Sequence, residues 1–237
     1  MTSDAGGQPY DADLMAAVTE LGTALRDLVD ASVRTTVPAG ELRAAAADVR
    51  AVTERLAAAR RPATQLPALD DPLVFRRVYS PVSGVGSALA PPVVIRRVEG
   101  GVVAEATLGP AYEGPPGYVH GGVSSLLMDQ LLGSTAIAAG LWGMTVRLEL
   151  DYRGPVPLST PLTLRAQVTE AAGRKCVVTG TIATAADAGR TLVEARGVFV
   201  MPRDEVRADY FGAITDASGR AAPPRRPTDA TAATERR

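Results

Sequence analysis

Residue types that mark several large classes of protein are scarce in this sequence. Its 237 residues include one cysteine, Cys176, and one histidine, His120. A single thiol cannot close an internal disulfide, so we expect a reducing, cytoplasmic environment rather than a disulfide-stabilised secreted domain. Transition-metal sites need several Cys, His or carboxylate ligands close together, and these two residues lie far apart in the sequence. We therefore expect neither a metal nor another cofactor.

An excess of charge of one sign is also lacking. The chain carries 25 Lys and Arg against 26 Asp and Glu, a formal net charge of -1. Basic residues form no long run, so binding to nucleic acid is not expected. The longest apolar stretch is broken by polar residues, and the N-terminus has no basic start followed by an apolar segment. We therefore expect neither a membrane span nor a signal peptide.

The hydrophobic pattern divides the chain into four regions. Residues 1–62 predict an N-terminal helical hairpin, and the proline-containing residues 63–74 predict a linker. Residues 75–203 carry the pattern of the main domain. Residues 204–237 are rich in Pro, Arg, Ala and Asp, so we expect a largely disordered C-terminal tail.

Two amphipathic helices are predicted in the N-terminal region. Apolar residues of the first recur at helical spacing, and those of the second, predicted from about residue 41 to 60, lie on one side. Each stripe must be buried against the other helix, the main domain or another copy of the chain, and a short coiled coil is an alternative. The apolar positions of the first helix are Leu14, Val18, Leu21, Leu25 and Leu28, and those of the second are Leu42, Val49, Val52 and Leu56.

The main domain alternates between strand and helix patterns. Two strands are predicted on either side of a turn at residues 99–101, and a long apolar helix is predicted from about residue 122 to 139. Several strands follow, and in the first of them apolar Val146 and Leu148 alternate with polar Thr145 and Arg147. One helix packed on a curved antiparallel sheet is an α+β fold.

Asp129 is the anomalous residue of the long helix. Its neighbours on nearly all sides of the helix are apolar, which predicts a buried helix and an at least partly buried carboxylate. Burial of a carboxylate costs free energy unless it has partners or a chemical role. Asp129 is therefore the leading candidate for a catalytic residue.

The beginning of the same helix offers hydrogen-bond donors. His120 precedes Gly121 and Gly122, whose amides lie at the positive end of the helix dipole and can bind an oxyanion or polarise a carbonyl. Eight residues separate Gly121 from Asp129, about 12 Å along a helix. One substrate atom cannot contact both in one subunit, so a shared role predicts a symmetric dimer in which each subunit contributes one of them.

These residues carry a family resemblance. The segment from Tyr112 to Gly122 (YEGPPGYVHGG), followed by Asp129, resembles PaaI-type thioesterases of the 4-hydroxybenzoyl-CoA thioesterase superfamily. The segment from Met144 to Leu158 (MTVRLELDYRGPVPL) is similar to the next strand of that family. The resemblance covers about residues 75–201 and implies the hotdog fold, a curved antiparallel sheet wrapped around one long apolar helix.

The resemblance also implies roles for individual residues. The Gly121 amide would polarise the thioester carbonyl, and His120 would help to fix that loop. Asp129 of the opposite subunit would act either as general base towards water or as nucleophile, with Thr145 helping to hold the water.

Three further residues are assigned to substrate binding: Gly122, Ser125 and Gly114. Many relatives have an asparagine where this chain has Gly114, which places more of the carbonyl polarisation on Gly121. Serine catalysis by Ser125 is not expected, because the chain has no second histidine to act as its base.

Hydrolysis of acyl-CoA thioesters by a homodimer, or by a homotetramer built from two dimers, is the function that these residues favour. A non-catalytic acyl-CoA sensor with the same fold is the main alternative, and a hotdog hydratase or dehydratase is another. Both long-chain and aromatic acyl groups are open as substrates.

Overall fold

A computed structural model describes residues 10–71, 75–216 and 218–221. The α+β class predicted from the sequence is confirmed. In chain order, the helices and strands are α1 (Ala12–Arg34), α2 (Ala39–Ala57), β1 (Val93–Val98), β2 (Gly101–Thr107), a 3₁₀ turn (Pro110–Tyr112), α3 (Gly121–Ala138), β3 (Met144–Tyr152), β4 (Pro161–Ala172), β5 (Lys175–Thr184), β6 (Asp187–Val200) and α4 (Asp204–Phe211).

The six strands form one antiparallel sheet in the order β1-β2-β4-β5-β6-β3. All six contact α3, so the sheet wraps around this helix. Strand β4 shows why the sheet has an inner face: Leu162 and Leu164 are buried towards α3, whereas Arg165 is exposed on the outer face. Alternating side chains along a strand place apolar residues on the core side and polar residues on the solvent side.

Helix α3 is not buried on all sides, which corrects the expectation from its apolar sequence. Its inner face is buried, and it comprises Ser124, Leu127, Met128, Leu131, Leu132, Thr135 and Ala136. The opposite side, which we call the open face of α3, comprises the exposed or half-buried residues Gly122, Ser125, Leu126 and Asp129. A helix on one side of a single sheet can bury only the side that faces the sheet, so Leu126 stays 40% exposed.

Strand β3 departs from the strict alternation predicted for it. Its pairing with β6 shifts register between Thr145 and Arg147, which is a β-bulge at Val146. A bulge adds one residue to one strand and so reverses the alternation beyond it. Thr145 consequently lies on the same side of the sheet as Leu148 and Leu150, towards α3, and Val146 is 60% exposed.

The first N-terminal helix divides its apolar stripe between two environments. Gly22 is buried so closely against the backbone of residues 85 and 86 that a Cβ there would lie 2.2 Å from the Val85 carbonyl oxygen. Val18 and Leu25, on the same side, are half-buried, while the other three residues of the stripe, Leu14, Leu21 and Leu28, stay exposed. The two helices of the predicted hairpin are therefore present, but their stripes do not bury each other.

The C-terminal region contains more structure than its composition predicts. Helix α4 occupies the first eight residues of the tail, and the Phe211 ring lies 6.4 Å from the Trp142 ring. Thr215 also forms a bridge to Gln65 in the predicted linker. These tertiary contacts order residues whose local sequence does not predict a helix. Residues 222–237 of the predicted tail lie outside the described residues.

Within the described part of the chain, no helix is both long and apolar enough to cross a membrane.

Candidate active site

His120 begins the site by capping α3. Its Nδ1 atom accepts a hydrogen bond of 3.0 Å from the Gly122 amide, and its own backbone amide donates to the Tyr112 carbonyl at 2.9 Å. The first amides of a helix have no partner inside the helix, so a side-chain acceptor stabilises the helix start. His120 thus lies where the sequence predicts, beside the helix-start glycines.

The Gly121 amide is the free donor of the two glycines. The Gly122 amide is occupied by His120, which corrects the expectation that both amides are available. Among the described residues, no hydrogen-bond acceptor faces the Gly121 amide. This free N–H at the positive end of the α3 dipole can donate to a carbonyl or an oxyanion.

Gly114 packs against the residue that caps the helix. A Cβ at Gly114 would lie 2.7 Å from the His120 Cα atom, a separation that real side chains do not adopt. The Gly114 amide also donates to the Tyr118 carbonyl at 2.9 Å, which closes the loop. An asparagine at this position would force the loop away from His120. The glycine therefore contributes close packing instead of a side-chain donor.

Tyr152 is the residue that the sequence did not reveal. Its hydroxyl donates to the Gly121 carbonyl at 2.8 Å and lies 2.9 Å from the Ser125 hydroxyl, which itself donates to the same carbonyl at 3.2 Å. Two hydroxyls therefore fix the first turn of α3 next to its free amide. The only sequence signal was a tyrosine at the end of β3, the strand after the helix.

Asp129 lies one helical turn beyond Ser125 on the open face of α3. It is half-buried, and its Oδ1 atom accepts a hydrogen bond of 2.9 Å from the Thr145 hydroxyl. The β3 bulge makes this contact possible, because it turns Thr145 towards the helix. The second carboxylate oxygen, Oδ2, has no partner among the described residues and can accept a proton or a hydrogen bond from a bound molecule.

The structure thus assembles two separate groups on one face of α3. His120, Gly121 and Tyr152 gather at the helix start, and Asp129 meets Thr145 about 12 Å further along the helix. The two groups do not meet within one chain. A groove of ≈ 760 Å³ lies on the outer face of the sheet, and none of these residues lines it.

The single cysteine, Cys176, lies in the hydrophobic core. The Cys176 side chain is buried in β5, and burial raises the pKa of its thiol above the ordinary value. The described residues contain no group of three or more His, Cys, Asp or Glu that could hold a metal ion.

Comparison with known proteins finds thioesterases that are similar to parts of this chain. The sequence profile of the thioesterase superfamily matches residues 116–189. Acyl-coenzyme A thioesterase THEM4 from Xenopus laevis is 37% identical over 67 residues, which are 28% of this chain and 30% of that protein. THEM4 from Mus musculus is 34% identical over 88 residues, which are 37% of each chain. The chain thus spans about a third of the length of these curated relatives.

A solved structure matches much more of the chain. The crystal structure of a thioesterase superfamily protein is 36% identical and covers 81% of this chain and 97% of that one, with a TM-score of 0.70. Residues 75–237 amount to less than 81% of the chain. The matched region therefore includes part of the sequence before residue 75. The predicted hotdog fold is confirmed. Because the similarity extends over nearly the whole of that protein, the chain belongs to the thioesterase superfamily.

Proposed function

We propose that this chain hydrolyses acyl-CoA thioesters to free acid and CoA, in a site shared by two copies of the chain. The proposal rests chiefly on the Gly121 amide, which has no acceptor among the described residues and stands at the start of a helix that also carries Asp129. The relatives named acyl-coenzyme A thioesterase, which match parts of this domain, supply the substrate class.

The chemistry assigns a separate task to each group. The thioester carbonyl oxygen accepts a hydrogen bond from the Gly121 amide, which stabilises the negative charge that develops during attack. Asp129 of the other copy removes a proton from a water held beside Thr145, and the oxygen adds to the carbonyl carbon. The carbon–sulfur bond then breaks, and the sulfur leaves with the proton that Asp129 had taken. Direct attack by the carboxylate, followed by hydrolysis of the resulting anhydride, is the alternative course.

The position of β3 supports the shared site. This strand pairs with β6 on one side and lies at the edge of the sheet, so its other side can pair with the same strand of a second copy. Because Val146 is the extra residue of the bulge, Thr145 and Tyr152 each lie three pairing positions away from Glu149 along β3. Antiparallel pairing about a twofold axis at that point would place Thr145 beside the partner's Tyr152, about 5 Å away.

Pairing of this kind would bring the two separate groups together. Asp129 is bonded to Thr145, and the helix start with Gly121 is bonded to Tyr152. Each Asp129 would therefore approach the helix start of the other copy, and one dimer would hold two sites. A homotetramer formed from two such dimers would retain these sites unchanged.

Incubation of the purified protein with a panel of acyl-CoAs tests the function, with release of CoA followed by a thiol-reactive dye. The reactive form of a cysteine is its thiolate, and the buried Cys176 with its raised pKa will not react in the folded protein. We expect no dye signal from the protein alone, and one thiol per chain after denaturation. Binding of acyl-CoAs without any thiol release would contradict hydrolysis and favour the sensor.

Tyr152→Phe tests whether the two hydroxyls hold the helix start in position. The substitution removes the bond to the Gly121 carbonyl and keeps the ring, so we expect kcat to fall by about tenfold with KM changed much less. The loss should leave the unfolding temperature within about 4 °C, since one exposed hydrogen bond contributes little stability. Tyr210→Phe on α4 is the matched control. Equal kcat for Tyr152→Phe and wild type would show that Tyr152 does not position the site.

A further inference from the structure

Helix α2 carries an apolar stripe whose largest side chains stay exposed in the described part of the chain. The stripe is formed by Leu42, Val49 and Leu56, which recur every seven residues and are 47%, 42% and 53% exposed. No residue of α2 is buried. Ala45 and Val52 lie between these positions on the same side, and such a seven-residue repeat is the pattern by which two helices pack side by side.

We propose that α2 packs antiparallel against α2 of a second copy of this chain, about a twofold axis near residues 50 and 51. In this register Val49 faces the partner's Val52, and Ala45 faces the partner's Leu56. A large side chain opposite a small one fills the contact without a clash, as close packing requires. The inference is independent of the thioesterase chemistry, because α2 contains none of the site residues.

The charges beside the stripe favour this register. Asp48 and Arg55 lie on the same flank of the stripe, and in an antiparallel pair this flank adjoins the same flank of the partner. Asp48 then faces the partner's Arg55, with about 3 Å between them along the axis, and twofold symmetry repeats the pair. Among the described residues, neither Asp48 nor Arg55 forms an ion pair.

The other flank and the other orientations fit less well. The other flank carries the small residues Ala46 and Thr53, which let the two backbones approach closely. A parallel pair would set Asp48 against Thr53 and leave its charge without a partner. Packing of α2 on α1 of the same chain would bring Asp48 close to Asp27, and like charges at a helix contact are unfavourable.

Cysteine cross-linking of the full-length protein tests the register, since the buried Cys176 does not interfere. The variant Ala45→Cys/Leu56→Cys should form disulfide-linked dimers on mild oxidation, seen by non-reducing electrophoresis and intact mass. Each single variant alone should not, because identical positions lie about 16 Å apart along the antiparallel pair. An equal mixture of the two single variants should cross-link. Ala47→Cys, on the far side of α2, measures random collisions.

Two further variants define the results that would contradict the proposed α2 contact. Adding Val49→Asp to the double variant should slow cross-linking by at least about tenfold, because a carboxylate is costly in an apolar contact. Cross-linking of Ala45→Cys with itself would establish a parallel pair and overturn the register. An intrachain disulfide in Leu28→Cys/Ala45→Cys would assign the stripe to α1 instead. Linkage of the double variant no faster than that of Ala47→Cys would overturn the contact itself.

Discussion

Asp129→Asn is expected to reduce acyl-CoA hydrolysis by at least about a hundredfold, because a positioned general base contributes about that factor or a larger one. The amide cannot remove a proton from water and cannot attack a carbonyl carbon. Its oxygen can still accept the hydrogen bond from Thr145, so the helix contact is retained. We therefore expect the free energy of unfolding to change by no more than about 1 kcal/mol. Release of CoA, thermal unfolding and native mass are measured on the same preparation.

Asp151→Asn is the matched control for this substitution. Asp151 lies in β3, the strand that follows α3. Its carboxylate is on the outer face of the sheet, where it is 69% exposed and lies 3.4 Å from the Arg153 guanidinium. An exposed ion pair contributes little, so its loss should leave hydrolysis within about twofold of wild type. Full activity of Asp129→Asn in this comparison would remove Asp129 from the reaction.

Gly121→Pro is expected to lower kcat by about 10²–10³, the effect of losing one donor to a developing oxyanion. Proline has no N–H, and the first residue of a helix tolerates proline because that N–H has no partner within the helix. His120, the preceding residue, already has the extended backbone that a following proline requires, with φ -60 and ψ 133. The substitution therefore removes the donor and leaves the helix start in place.

Gly121→Ala separates the loss of the donor from the added bulk. Alanine keeps the N–H, and its Cβ would lie 3.4 Å from the Tyr152 hydroxyl, an ordinary contact. We expect it to lose much less activity than Gly121→Pro. Equal losses in the two variants would show that the space around Gly121 matters and its amide does not.

Heterodimers of the two inactive variants test whether the site is shared. Chains with Asp129→Asn and chains with Gly121→Pro are co-expressed with different tags and purified on both. A shared site leaves one intact pair of groups in each heterodimer, so about half of the wild-type activity should return. If Asp129 and Gly121 of the same chain acted together, every site would carry one substitution and no activity would return.

Local sequence was sufficient for the helix that carries the site. His120, the two glycines and the apolar residues after them predict where α3 begins, because a helix start depends on side chains within a few residues of it. The same applies to the β1-β2 turn at Gly100, where φ is 78°. Asp129 was predicted as a catalytic candidate for a related reason, since a carboxylate among apolar neighbours is visible without a structure.

Contacts between distant segments were decided only by the tertiary structure. A two-residue alternation cannot show a bulge, so the periodicity of β3 did not predict that Thr145 turns towards Asp129, and only the family resemblance implied a role for it beside that acid. Nor could it show that Tyr152 reaches the Gly121 carbonyl, because that contact depends on how β3 lies against α3. The edge position of β3 is likewise a property of strand order, which long-range pairing sets.

The sequence by itself thus determined the fold class, the start of α3 and the acid on that helix, because each depends on residue type and short-range periodicity. The tertiary structure decided which face of α3 stays open, which amide at its start is free, and which side chains hold Gly121 and Asp129. These features depend on residues far apart in the chain, whose approach is set by the packing of the whole sheet around one helix.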